Sequence, residues 1–159
     1  MSNQPPQHDD VVRPIVFPPV LFLVALAAGV CLDLAVALPI FGAGVVRHAV
    51  GWPVFVLGAA LAVWGQRTMV AADVDPRFKA VGRIVDGGPF RFTRNPLYLS
   101  VGLAYVGLAC VFDTWWPLTF LPAIFLVLHF GVVLREERYL ERRLGDAYRA
   151  YRSRVRRWI

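Results

Sequence analysis

Four apolar runs near the length of a bilayer crossing organise this chain, and they exclude most soluble architectures. Val20 to Leu38 carries a single charge, Asp33, and follows Phe17-Pro18-Pro19, a suitable start at a membrane interface. Gly51 to Val70 opens on Trp52-Pro53 and closes in Gln66-Arg67, whose polar groups can reach the headgroups. Leu97 to Phe112 is shorter than the roughly 20 residues a perpendicular helix needs, and stops at Asp113-Thr114. Trp115 to Leu134 begins with an aromatic pair suited to the interface, so the third and fourth spans are expected to form a tight helical hairpin. Composition agrees: 57% of the residues are hydrophobic and 18% charged, against about one quarter charged in soluble chains. Ala35-Val36-Ala37 resembles a signal-peptidase site. The first run, however, is longer than a signal core of about 7–15 residues, and its leader carries Asp9 and Asp10 against Arg13, so it reads as a retained span. Cys31 and Cys110 both lie in apolar runs, which implies neither a disulfide framework nor a metal site.

The charges fix an expected topology. Of the 17 Lys and Arg, all but Arg13 and Arg47 fall in two blocks, one from Arg67 to Arg94 and one from Arg135 to Arg157. A basic balance of +6 can signal nucleic acid, but there it covers a folded polar surface. Here the basic blocks flank apolar spans, so the positive-inside rule accounts for them and no nucleic-acid partner is expected. Four crossings put both blocks and both termini in the cytoplasm of a bacterial-type inner membrane, with the loop near Arg47 and the turn at Asp113 outside. The expected fold is therefore all-α and integral to the membrane, with about four transmembrane helices and a C-terminal amphipathic helix. Residues 1–14 read as a flexible leader and 15–159 as a single membrane domain.

Two stretches could carry chemistry. The first, Val81 to Ser100, reads VGRIVDGGPFRFTRNPLYLS. Gly87-Gly88-Pro89 is a turn signal, and Asn95-Pro96 predicts a helix start with Pro96 at its first position. Phe90, Phe92 and Tyr98 alternate with Arg91 and Arg94, a composition able to stack a flat heterocycle and hold an anion, although composition alone favours a juxtamembrane loop with its arginines on lipid headgroups. The second stretch, Arg135 to Ile159, places Leu140, Leu144, Ala147, Tyr148, Tyr151, Val155 and Trp158 at helical spacing. It predicts a basic amphipathic helix lying on the membrane or on the loop beside it. Glu136 and Glu137 interrupt its basic character. As neighbours they point about 100° apart, so each serves a different group, unless both only complement a helix dipole. Of the intramembrane ionisable residues, His129 reads as a packing residue and Asp33 has no assigned role. Gly58 with Ala62, and Ser100 with Ala104, are small-residue pairs that predict close helix contacts.

Taken together, GPFRFTRNPLYLS, an apolar hairpin and then REERYLERRLGDAYRAYRSRVRRW resemble the isoprenylcysteine carboxyl methyltransferase family. More broadly, they resemble the integral-membrane methyltransferases that include phospholipid methyltransferases. The matching positions are Gly88, Pro89, Phe90, Arg94, Asn95, Pro96 and Tyr98, then Glu136-Glu137, then Gly145, Tyr148 and Tyr151, and the likeness covers residues 50–159. The resemblance implies S-adenosyl-L-methionine as cofactor and transfer of a methyl group to a lipophilic acceptor, the carboxylate of an isoprenylcysteine-like compound or similar. It implies cofactor contacts from Ile84, Val85, Phe90, Asn95, Pro96, Leu97, Tyr98, Glu136 and Glu137, and a catalytic set of Arg94, Asn95 and Glu136. Arg135 is the nearest match to the family's substrate-carboxylate Arg. Asn95 stands where the eukaryotic members have His, and Ser100 where Gly is usual. Two other readings stay open at this level: an NADPH-dependent membrane reductase of a sterol-like double bond, and a non-catalytic membrane protein binding anionic lipid through its Arg-rich tail.

Overall fold

The computed structural model describes residues 17–42, 44–74 and 82–158. The 1–14 leader lies outside these residues, as do Arg77 and Lys79 of the central basic block. All regular structure among the described residues is helical: α1 over Pro18–Ala35, α2 over Val46–Ala71, α3 over Pro96–Phe112 and α4 over Trp116–Leu128. A π turn, His129–Val133, leads without a break into α5, Leu134–Leu144, and α6 follows over Asp146–Arg154. Prolines sit in the first turns of α1, α3 and α4, where a missing N–H costs nothing and the fixed φ suits the helix.

Three helices are long and apolar enough to cross a membrane: Pro18–Ala35, Val46–Ala71 and the continuous Trp116–Leu144; α3 is shorter. The molecule is an all-α integral membrane protein. The basic segment after the fourth span differs in detail from a single amphipathic helix. Its first part, α5, prolongs α4, and Gly145 then breaks the rod with φ 55 and ψ −125, a conformation open to glycine because it has no Cβ. Past that break α6 buries Tyr148 and Tyr151, and with Val155 they pack on Ile84, Leu140 and Leu144. The amphipathic piece thus rests on the central loop.

The pairing of the spans also differs from a tight α3–α4 hairpin. α3 lies chiefly along α2, and α4 along α1. Glycines explain the first pairing. A Cβ on Gly58 would lie 2.6 Å from the Ala104 nitrogen and 2.7 Å from the Ser100 oxygen, and one on Gly51 would lie 2.8 Å from the Gly107 oxygen. The two backbones touch because these side chains are absent. On the other pair, Gly29 lies against Pro117 in the same way. Between them sits a core of Phe22 and Leu26 from α1, Tyr98 and Tyr105 from α3, Ile124 and Leu128 from α4, and Val132 and Val133 from the π turn. Leu23 and Val24 on α1, and Val56 and Leu57 on α2, stay exposed as a surface suited to lipid.

The connections segregate to opposite ends. At one end Asp113, in the left-handed region at φ 58, accepts through Oδ1 from the N–H groups of Ile40 and Phe41 at 3.0 and 2.8 Å. The Trp116 indole donates to Val36 O at 2.8 Å beside it. Asp33 accepts from Leu38 N–H at 2.9 Å, which terminates α1 locally. At the other end the loop after α2 meets α5 and α6, so the described parts of both basic blocks share that end.

The close approach of α2 and α3 has a direct test. Gly58→Val should cost about 1–3 kcal/mol by overpacking and lower the melting temperature in detergent. Gly102→Ala should be close to neutral, because its Cβ would meet only the Phe125 ring at 3.6 Å. A Gly58→Val protein melting like the parent would contradict this packing.

Candidate functional site

The site is built where the loop before α3 meets the segment from α5 onward. A 3₁₀ turn, Gly88–Arg91, starts the loop's ordered part. Gly88 has φ 50, and a Cβ there would run into Thr68 Oγ1 and lie 3.1 Å from Trp64 Nε1, so α2 approaches the loop at a point that only glycine fits. Thr93 Oγ1 then accepts from Asn95 N–H at 3.2 Å, and Pro96 opens α3.

Five hydrogen bonds stitch this loop to the end of the fold, the longest from Arg94 Nη1 to Tyr148 OH at 3.5 Å. Arg94 N–H donates to Arg156 O at 2.9 Å. Thr93 Oγ1 and Asn95 Nδ2 both donate to Arg157 O, at 3.1 and 2.8 Å. Tyr151 OH donates to Phe90 O at 2.8 Å. Burial pushes the Tyr151 phenol above its ordinary range, and the Tyr148 phenol likewise, so both remain neutral at physiological pH, Tyr151 as the donor to Phe90 O and Tyr148 as an acceptor from Arg94 Nη1.

The two adjacent glutamates diverge as their helical offset requires. Glu136 Oε1 accepts from Tyr98 OH at 2.6 Å. Glu137 holds two arginines: Arg94 Nη1 on Oε1 at 2.8 Å, and Arg157 side-on, with Nε on Oε1 at 2.9 Å and Nη2 on Oε2 at 2.8 Å. Side-chain exposure is 9% for Glu137, 10% for Arg94 and 29% for Arg157, so the central pair is nearly dry. The hydrogen bonds to Glu137 raise the Arg157 guanidinium above its ordinary value.

Beside this triad lies a partly open cavity of about 120 Å³. Of the residues singled out from sequence, Ile84, Val85, Phe90, Arg94, Asn95, Glu136 and Glu137 line it. Pro96, Leu97 and Tyr98 are not in its wall: Pro96 is buried at the start of α3, Leu97 covers Gly65, and Tyr98 stands behind Glu136. Arg135 is exposed and outside the lining. Tyr148 and Tyr151, noted from sequence only as motif positions, line it as well. Met69 and Val74 from α2 and its end, and Tyr139, Leu140 and Leu144 from α5, complete much of the wall without having been singled out as site residues. Arg157 was missed for a plain reason: in a tail with nine arginines nothing local marks the one that turns inward. The i, i+3 and i+4 spacing of Tyr139 and Leu140 from Glu136 was the available signal for α5.

Two residues that line it each carry a buried polar atom with no hydrogen-bond partner, Arg94 Nε and Tyr139 OH. A buried donor left unpaired is expensive, and such atoms in a cavity wall are where a ligand makes its polar contacts. Apolar side chains, a carboxylate and unpaired donors together suit a ligand with an apolar face and a charged or polar end. Among the described residues no cluster of His, Cys, Asp or Glu has the makings of a metal site.

The triad and the Tyr98 pair differ sharply in what removal of charge should do. Glu137→Gln leaves Arg94 buried without its counter-charge and should cost roughly 3–5 kcal/mol. Glu136→Gln keeps an acceptor for Tyr98 and should change thermal stability little. Thermal melts of the two variants in detergent read the difference, and equal, small shifts would show that the triad does not hold the loop.

Comparison with known proteins places the same segment in a family. A model of the phospholipid methyltransferase family matches residues 46–147, from the start of α2 to the start of α6. A segment of 34 residues, 21% of this chain, is 50% identical to an uncharacterized protein of Haemophilus influenzae and covers 54% of it, so the chain spans about half the length of that relative. No solved structure matches. The family match contains the whole loop from Gly87 to Tyr98 and the glutamate pair, the two halves of the cavity's polar wall. The chain belongs to the phospholipid methyltransferase family of membrane methyltransferases.

Proposed function

We propose that the protein is an S-adenosylmethionine-dependent methyltransferase acting on a lipophilic acceptor, such as the carboxylate of an isoprenylcysteine-like compound. The observation that carries this reading is the cavity, whose wall combines an apolar lining with Glu136 and the unpaired Arg94 Nε–H and Tyr139 OH. The cofactor would supply a methyl group already activated on a sulfonium, so the protein's task is to bind, orient and exclude water.

Each wall residue then has a task. Arg94 Nε–H is available to a carboxylate, and Glu136 can accept from ribose hydroxyls or an ammonium. Ile84, Val85 and Phe90 with Leu140 and Leu144 offer apolar cover for a flat base. Asn95 gives its amide donor to Arg157 O, so it holds the loop in register beside the reacting groups. Pro96, Leu97 and Tyr98 act from behind the wall, Tyr98 by fixing the Glu136 carboxylate. The exposed Arg135 is left to meet an acceptor's headgroup at the surface. Residues 15–159 work as one membrane unit, with the basic end in the cytoplasm, where the polar cofactor arrives, and the acceptor coming sideways from the lipid.

Calorimetry on the purified protein in detergent tests this. The parent should bind S-adenosylmethionine at micromolar to submillimolar strength (an order-of-magnitude expectation). Glu136→Gln should remain folded and bind about 10- to 150-fold more weakly. Arg142→Gln, an exposed change on the same helix, should bind like the parent. Clear NADPH binding with no S-adenosylmethionine binding would favour the reductase reading instead.

A further inference from the structure

The arrangement around Glu137 is asymmetric in a way that bears on ligand binding. Arginine's preferred grip on a carboxylate is the two-pronged fork, with two parallel N–H donors on the two oxygens. Arg157 takes that grip through Nε and Nη2. Arg94, a lining residue of the cavity, is left with an end-on contact from Nη1 to Oε1 and a 3.5 Å hydrogen bond from Nη1 to Tyr148 OH, while its buried Nε–H stays unpaired. Arg157 itself does not line the cavity.

We infer that Arg157 is a positioning residue: by occupying both oxygens of Glu137 it denies Arg94 the fork and keeps the Arg94 Nε–H free for an anionic group of the ligand. Its backbone supports the same arrangement, because Arg157 O ties down Thr93 and Asn95 on either side of Arg94, and Arg156 O holds Arg94 N–H. The neighbouring Trp158 ring packs edge-on against Phe125 of α4 with centroids 5.6 Å apart, anchoring the segment to the transmembrane core. Without the Arg157 guanidinium, Arg94 is free to rotate into the vacated fork and spend its donor on Glu137. The role rests on the cavity being the S-adenosylmethionine site, where the anionic group is the carboxylate of the amino-acid end.

Two ligands separate this role from general support of the fold. S-Adenosylhomocysteine carries the amino-acid end, and 5′-methylthioadenosine has the same nucleoside without it. In calorimetric titrations of the full chain in detergent, Arg157→Gln should weaken S-adenosylhomocysteine by about ten-fold or more and 5′-methylthioadenosine by less than about two-fold. Arg157→Lys keeps the charge but has no fork, and should show the same selective loss to a smaller extent. If Arg157→Gln does not fold, the Lys variant decides alone. Equal losses for both ligands in a folded variant, or parent-like binding of S-adenosylhomocysteine, would overturn the inference. A parent protein that binds neither ligand would instead overturn the cofactor reading, and this role with it.

Discussion

The Glu137 carboxylate is the point at which the functional end of this protein is held together. Its partners come from places far apart in sequence: Arg94 from the loop before α3, and Arg157 from beyond α6. A nearly dry ion pair is not a source of net stability by itself, because desolvation offsets much of the attraction. Its value lies in what breaking it costs. Once Arg94 and Glu137 are buried together, every arrangement that separates them leaves a bare charge, so one loop conformation is selected over the alternatives. The neutral hydrogen bonds from Tyr151, Thr93 and Asn95 then fix the backbone around it.

That selection depends on the transmembrane helices bringing the parts together. The small residues of α2 and α3 let the two backbones touch, and Gly88 lets the loop sit directly under Trp64 and Thr68 of α2. α5 is an extension of the fourth span through the π turn, so the glutamates project from a rod whose other end is packed in the bilayer core. The extra residue of a π turn changes the face that the following helix presents, and such turns recur at functional sites. The end of the protein that carries the cavity is therefore aligned by helices that contain few of its polar groups.

Much of this was legible in the sequence. The spans were readable because apolar length and terminal prolines are local signals, and the start of α3 at Pro96 follows from one residue's covalent geometry. The meeting of the Arg94 loop with the glutamate pair was readable only through family resemblance, since no local periodicity connects residues so far apart. Helix pairing was half legible: the small residues Gly58, Ser100 and Ala104 marked contact faces that do meet, but the short turn at Asp113 suggested an α3–α4 hairpin where α3 in fact packs chiefly on α2. The division of the basic tail at Gly145 was hidden because the tyrosines and leucines on both sides keep a helical spacing through it. Arg157 was hidden for the opposite reason, being one of many identical charges whose roles differ only in three dimensions.

Hydrogen–deuterium exchange of the Glu137→Gln protein in nanodiscs tests most directly whether this carboxylate holds the loop and the tail as one unit. The account predicts that amides of residues 87–95 and of 146–158 lose protection together, while the opposite end, where Asp113 holds Ile40 and Phe41, exchanges as in the parent. A change confined to α5, with the loop and tail as protected as before, would contradict it.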